Sequence, residues 1–302
     1  MKRILSIDGG GVLGIIPLTV LREIERRMKK PIYELFDLIV GTSIGAAIGG
    51  ALSSGNISCE EFYPKMLSEF KTIFKKRLRA PILQPKYKLS DVRAALDPYI
   101  KDMPMSQCKT RFLCTSISYI DGRTHFFKSW ESKDGKLKLI DSVIRSVSAP
   151  IYFGKTVEKE SGGVWGDGGC GNMNDPSMQA YIEASRQGWL RKEKVHILSL
   201  GCGDSFKGNF FNECSKFNNL QEATFYMNLT GGGLARSQMD ETFEAWLQTL
   251  SEDNPDFTSQ RIQEFGIPKK IDKLDGMQFQ DDFIKIGEKL SKEVDYSFFQ
   301  DN

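Results

Sequence analysis

Two hydrophobic rhythms alternate along the first fifty residues. Ile4, Leu5 and Ile7 form a short apolar run that predicts a buried strand over Arg3–Ile7. Asp8-Gly9-Gly10-Gly11-Val12-Leu13-Gly14 interrupts it as a glycine-rich turn. From Ile15 to Met28 the spacing changes to that of a helix, with Leu18, Leu21, Ile24 and Met28 on one face. Pro17 falls in the first turn, where proline is tolerated. Leu35 to Val40 predicts a second strand, and an Ala/Gly/Leu-rich stretch from Ser43 to about Leu52 a second helix. Strand-helix-strand-helix implies parallel strands and a layered α/β fold.

Ser58 to Leu78 reads as a helix, with Ser58 and Glu61 as a capping box and Phe62, Met66, Phe70, Phe74 and Leu78 at helical spacing. Lys71, Lys75, Lys76, Arg77 and Arg79 cluster at its end, Lys86 and Lys88 follow, and Pro81 and Pro85 mark a loop. Ser90–Tyr99 is another candidate helix. Thr110–Tyr119 and Arg123–Lys128 predict a hairpin through Asp121-Gly122. Leu139–Val147 reads as a short helix, and Gly163–Gly166 as a short strand closed by Asp167-Gly168-Gly169. Asp175 is the expected N-cap of the next helix, with Pro176 at its first position. Lys194–Leu200 is a buried strand. Leu220–Leu250 reads as helical with an interruption at Gly231–Gly233, and Gln280–Val294 as an amphipathic closing helix. The expectation is one domain over 1–302, with a core at about 4–203 and a helical C-terminal extension over 204–302.

Composition narrows the function classes. The 302 residues are 40% hydrophobic and 26% charged, as in soluble globular proteins. A net charge of +2 argues against a binder of nucleic acid polymers. Six cysteines without C-x-x-C spacing argue against a zinc site or a disulfide framework and suit a reducing compartment. Met1-Lys2-Arg3-Ile4-Leu5 opens like a signal peptide, but Asp8 and the glycines break the apolar run. No apolar stretch reaches membrane-spanning length, so the expectation is a cytoplasmic protein whose membrane contact is peripheral.

Candidate chemistry centres on Gly41-Thr42-Ser43-Ile44-Gly45. A serine in G-x-S-x-G between a strand and a helix is the pattern of a nucleophile elbow, which lifts the hydroxyl out of a strained turn. The plainer alternative is a tight turn with a capping serine. There are two histidines to activate such a serine. His125 lies in a hairpin arm and His196 inside a central strand, where a buried, hydrogen-bonded role fits better than that of a triad base. Asp167, flanked by Gly166 and Gly168, is a candidate base at a strand end; an Asp-Gly turn without a catalytic role is the alternative. Asp8–Gly14 also contains G-x-G-x-x-G. As a dinucleotide fingerprint it lacks the acid expected at the end of the second strand, because Asp37 opens that strand. Its other use is an oxyanion hole with Gly10 and Gly11 beside Ser43.

Asp8-Gly9-Gly10-Gly11-Val12-Leu13-Gly14, Gly41-Thr42-Ser43-Ile44-Gly45 and Asp167-Gly168-Gly169, in this order, resemble the motifs of the patatin-like phospholipase family. Ser148-Ala149-Pro150-Ile151-Tyr152-Phe153 and Leu198-Ser199-Leu200-Gly201 resemble its intervening segments. The resemblance implies a three-layer α/β/α fold around a mainly parallel sheet, and hydrolysis of lipid acyl esters by a Ser–Asp dyad without metal or cofactor. On this chain it implies Ser43 as nucleophile, Asp167 as base and Gly10 and Gly11 as oxyanion-hole residues. Gly9, Gly14, Gly41, Gly45, Gly168 and Gly169 are its motif glycines. Leu13 departs from the pattern, which usually has Arg or Lys there; that bears on headgroup preference. Expected partners are a phospholipid or other lipid ester and a membrane surface, with oligomerisation open.

Family relatives include effectors of bacterial anti-phage defence switched on by cyclic nucleotides, so the resemblance also implies a cyclic nucleotide as a conceivable activator. A signalling or binding module of the same fold, with weak or conditional activity, is the alternative. The basic, Phe-bearing segment from Lys65 to Lys88 has two readings. Phe70, Phe74 and Leu78 could rest on lipid, or the helix could pack on the body with a solvated basic face.

Overall fold

The computed structural model describes residues 1–75, 84–159, 161–203, 234–268, 271 and 273–300. An eight-stranded sheet runs through the described residues. It comprises β1 (Lys2–Ile7), β2 (Leu38–Gly41), β3 (Arg111–Ser118), β4 (Thr124–Lys128), β5 (Thr156–Val157), β6 (Val164–Asp167), β7 (Val195–Leu200) and β8 (Phe257–Ile262). Their order is β5-β6-β3-β2-β1-β7-β8, with β4 also paired to β3. The pairs β3-β2, β2-β1, β1-β7 and β7-β8 are parallel, and those of β4, β5 and β6 are antiparallel.

Side-chain alternation sends successive residues of each strand to opposite layers. Leu5, Ile7, Ile39, Phe112, Leu198 and Leu200 join the larger core, with helices α1 (Ile15–Met28), α3 (Ile44–Ser54), α4 (Cys59–Ile73), α5 (Leu89–Ile100) and α6 (Leu139–Ser146). Ile4, Leu38, Val40, Leu113, Val195 and Ile197 face the smaller core, with α7 (Ser177–Arg186) and α8 (Leu234–Asp253). Both faces of the central strands are therefore covered, as parallel sheets require. This is the expected three-layer α/β/α arrangement. A short α2 (Ile32–Leu35) leads into β2, and α9 (Gln280–Leu290) packs on α1 through Gly287, where a Cβ would lie 2.5 Å from Thr19 Cβ. No helix among the described residues is long and apolar enough to cross a membrane.

Several boundaries differ from the sequence expectation for local reasons. Leu35 ends a helical turn begun after Pro31, so β2 starts only at Leu38. The capping box forms, with Ser58 Oγ accepting the Glu61 N–H and the Glu61 side chain accepting the Ser58 N–H. Helix α4 ends at Ile73; Lys76, Arg77, Leu78, Arg79 and Pro81 lie outside the described residues. Phe70 and Phe74 are 1% and 8% exposed, which rules out the reading that rests them on lipid at the surface. Helix α7 starts one residue later than expected, although Asp175 Oδ1 still accepts the Ser177 N–H at 2.8 Å. The interruption at Gly231–Gly233 and Cys214 lie outside the described residues. Strand β8 departs from the expected helical extension: it continues the sheet into that stretch, paired in parallel with β7.

His196 is buried in β7, and its Nδ1 lies 2.9 Å from Thr258 Oγ1. Burial is the main cause holding its pKa down at about 3, whereas an unfolded histidine titrates near ~6.5. Between those values the unfolded chain binds more protons, so stability is complete above ~6.5 and declines as pH falls. Urea unfolding of wild type and His196→Gln at pH 7 and pH 4 should separate out a His196 contribution to that decline of roughly 2–4 kcal/mol. His196→Gln should flatten that slope; an unchanged slope would place the acid sensitivity elsewhere.

Candidate active site

Ser43 lies at the turn from β2 into α3, with φ 54° and ψ −121°. A non-glycine residue there costs about 1–3 kcal/mol and persists only when its surroundings hold it. Gly41 and Gly45 make the turn sterically possible. A Cβ on Gly45 would lie 2.2 Å from the Ile7 carbonyl oxygen, and one on Gly41 2.4 Å from the Gly45 oxygen. The Ser43 N–H donates to Ser146 Oγ of α6 at 2.9 Å, and its carbonyl accepts the N–H groups of Ala46 and Ala47. Ser43 thus stands directly before the N-terminus of α3, and its hydroxyl does not cap that helix.

Asp167 arrives by a different route. Cys114 of β3 has Gly41 on one side and Phe127 on the other; two residues on, Ser116 has Asp167 and His125. Strand β4 therefore runs along one edge of β3, while β2 and then β6 occupy the other. Where β2 ends at the turn, antiparallel β6 takes over, and its last residue is Asp167. The Ser43 hydroxyl donates to Asp167 Oδ2 at 2.5 Å. Oδ1 accepts the Gly169 N–H at 2.8 Å, and the Asp167 N–H donates to the Ser148 carbonyl. Gly168 is needed because a Cβ there would lie 2.0 Å from Thr115 Oγ1.

The carboxyl of Asp167 is buried, which raises its pKa to about 6, against the lowering effects of the Ser43 and Gly169 hydrogen bonds. It is ionised at neutral pH and more basic than an ordinary carboxylate. Neither histidine reaches Ser43. His125 Nε2 pairs with Asp121 Oδ2 at 3.3 Å on the far edge of β3, and His196 is engaged with Thr258.

The loop after β1 completes the surroundings. A Cβ on Gly9 would lie 3.2 Å from Ser43 Cβ, so this loop passes against the serine. Gly11 has φ 59° and its Cβ position is filled by the Leu274 carbonyl, a double demand for glycine. The N–H of Gly9 donates to Asn174, and that of Val12 to Leu274. Among the described residues the N–H groups of Gly10 and Gly11 donate to no protein acceptor. Gly14 is required by Ile44, whose Cγ1 would lie 2.4 Å from a Cβ. Leu13 is fully buried in the larger core.

Gly10, Gly11, Ser43 and Asp167 line one open cavity together with Tyr152 and Phe153. At Ser43 it adjoins an apolar cavity lined by Ala47 of α3, Met66 and Phe70 of α4, and Val92, Ala95 and Leu96 of α5. Sequence reasoning named Ser43, Asp167 and every motif glycine, and these come together. It missed Ser146, Asn174 and the apolar cavity, whose members carry only the spacing of ordinary core positions.

The family model described as "Patatin-like phospholipase" matches residues 5–181. A cGAMP-activated phospholipase of Escherichia coli (strain TW11681) is 30% identical over 66% of this chain and 61% of its own length. A cGAMP-activated phospholipase of Vibrio cholerae is 27% identical over 61% of this chain and 58% of its own. The chain therefore spans about three fifths of the length of these relatives. Among solved structures, VipD of Legionella pneumophila aligns over 94% of this chain and 66% of its own, at 12% identity and a TM-score of 0.44. The family-model match covers more than half of the chain and includes both Ser43 and Asp167, and on that extent the chain belongs to the patatin-like phospholipase family.

Proposed function

We propose that this protein hydrolyses carboxylic esters of lipids, phospholipids among them, through an acyl-enzyme on Ser43. The observation that carries the reading is the 2.5 Å hydrogen bond from Ser43 Oγ to Asp167 at the mouth of an apolar cavity. Asp167 takes the hydroxyl proton as Ser43 attacks the ester carbonyl. The amides of Gly10 and Gly11, which lack other acceptors among the described residues, receive the developing oxyanion, and the N-terminus of α3 adds its dipole. The C–O bond to the leaving alcohol breaks as that oxygen takes the proton from Asp167. Water then attacks the acyl-enzyme, giving its proton to Asp167, which returns it to Ser43 as the fatty acid leaves.

The acyl chain lies in the cavity between α3, α4 and α5, where Phe70 and Met66 meet lipid as a single chain drawn from a surface. This supports peripheral contact with a membrane. Two relatives are named as cGAMP-activated, which supports a further part of the reading, a membrane-degrading effector of anti-phage signalling gated by a cyclic nucleotide.

Ser43→Ala should abolish hydrolysis of phospholipid vesicles, and Asp167→Asn should lower kcat by about 10²–10⁴-fold. Full activity in either variant would sink the dyad. The base must be ionised, so kcat/KM should rise with pH through a midpoint of about 6; a flat profile from pH 5 to 8 would contradict this role for Asp167. Fluorophosphonate labelling of Ser43 that appears only after a cyclic nucleotide is added would support the gated form, and equal labelling without it would remove the gate.

Ala95→Trp fills the apolar cavity. It should cut hydrolysis of long-chain esters about tenfold or more while leaving acetyl esters nearly unaffected. Parallel losses on both substrates would show that the acyl chain lies elsewhere.

A further inference from the structure

Asp8 directly follows β1 and leads straight into Gly9-Gly10-Gly11. Its carboxylate is buried and accepts both arms of Arg261, Nη1 to Oδ1 at 2.8 Å and Nη2 to Oδ2 at 2.5 Å. Arg261 belongs to β8, where it pairs in register with Ser199 of β7. The same guanidinium donates to Ser199 Oγ at 2.7 Å and Gln263 Oε1 at 2.8 Å, and lies 3.4 Å from Asp175 Oδ2. The side chains of Arg261, Asp8 and Asp175 are 7%, 2% and 2% exposed. Strand alternation explains the meeting, because Ser199 and Arg261 share the sheet face that carries Ile197 and Phe257 towards α7.

The guanidinium grips two chain segments, and Gly9 is strung between them. On one side is Asp8. On the other is Asp175, whose neighbour Asn174 accepts the Gly9 N–H at 3.1 Å. Asp8 also abuts the elbow, since a Cβ on Gly45 would lie 2.7 Å from its carbonyl oxygen. A shift of Asp8 therefore moves the Gly10 and Gly11 amides relative to Ser43. Buried ion pairs add little net stability over apolar packing, and their best-attested use is to fix register. The planar fork of arginine makes all these contacts at once; the point charge of lysine cannot.

We infer that Arg261 is a positioning residue for hydrolysis, its bidentate pair with Asp8, braced by Asp175, holding the Gly9–Gly11 loop in place against Ser43. The inference rests on the hydrolase reading above and extends it to a strand beyond the residues matched by the family model.

Arg261→Lys keeps the charge and loses the fork. With rates normalised to the folded fraction by circular dichroism, kcat on a soluble acyl ester should fall about 10²-fold with little change in KM. Fluorophosphonate labelling of Ser43 should slow in parallel, since the phosphonyl oxygen takes the oxyanion position, and the pH midpoint should stay where it is in the wild type. A merely structural role would lower the melting temperature and leave the rate per folded molecule unchanged. Asp175→Asn keeps an acceptor for the Ser177 N–H and weakens only the brace; it should show a smaller fall of kcat in the same direction, and it decides the matter where Arg261→Lys fails to fold. Unchanged kcat in the folded variant, or a loss confined to KM, overturns the inference. A wild-type protein that neither hydrolyses esters nor labels at Ser43, with or without a cyclic nucleotide, would instead sink the hydrolase reading beneath it.

Discussion

Ser43 and Asp167 are 124 residues apart in the chain, and their hydrogen bond depends on β3 running past the end of β2. Strand β2 has four residues and stops at the turn that raises Ser43, whereas β3 has eight. The vacated edge of β3 carries unpaired backbone groups that must be satisfied. Antiparallel β6 satisfies them and ends on Asp167. The site thus stands at the junction where two strands share one edge, and backbone pairing, more rigid than any loop, sets its central distance.

Two buried aspartates border this junction in opposite electrostatic settings. Asp8 has a guanidinium locked against it, with three further polar groups, on Ser199, Gln263 and Asp175, on or near the same cation. Among the described residues Asp167 has no cation as a hydrogen-bond partner, and its carboxylate accepts from a hydroxyl and an amide; burial raises its pKa. Residue type is the same; the surroundings divide the roles. One carboxylate suits a structural clamp, and the other suits a base that gains and loses a proton.

The glycines express a third constraint, the close approach of three backbones. Gly9, Gly41, Gly45 and Gly168 lie where a single Cβ would meet a neighbouring segment at 2.0–2.6 Å. Their density made the motifs readable, because a chain that must pass so close to others has few residue types to use. Leu13 shows the limit of such reading. The motif position stood out, but burial in the larger core decided that its side chain packs there.

Local chemistry was sufficient for much of this protein. Apolar spacing placed α1, α3, β1, β7 and the β3-β4 hairpin, and the capping box of Ser58 and Glu61 formed as expected, since these features depend on neighbours within a few residues. The elbow serine and the candidate aspartate were legible for the same reason, each lying in a glycine-bounded turn next to a strand. What tertiary structure alone decided were the long-range pairings. The hydrogen bond of Ser43 to Asp167, with both histidines held elsewhere, follows from sheet order, the burial of Phe70 and Phe74 from the packing of α4 on its neighbours, and the grip of Arg261 on Asp8 from the addition of β8 beside β7. A buried aspartate announces that it needs partners, but the sequence holds many cations and hydroxyls, and only the pairing of strands selects among them.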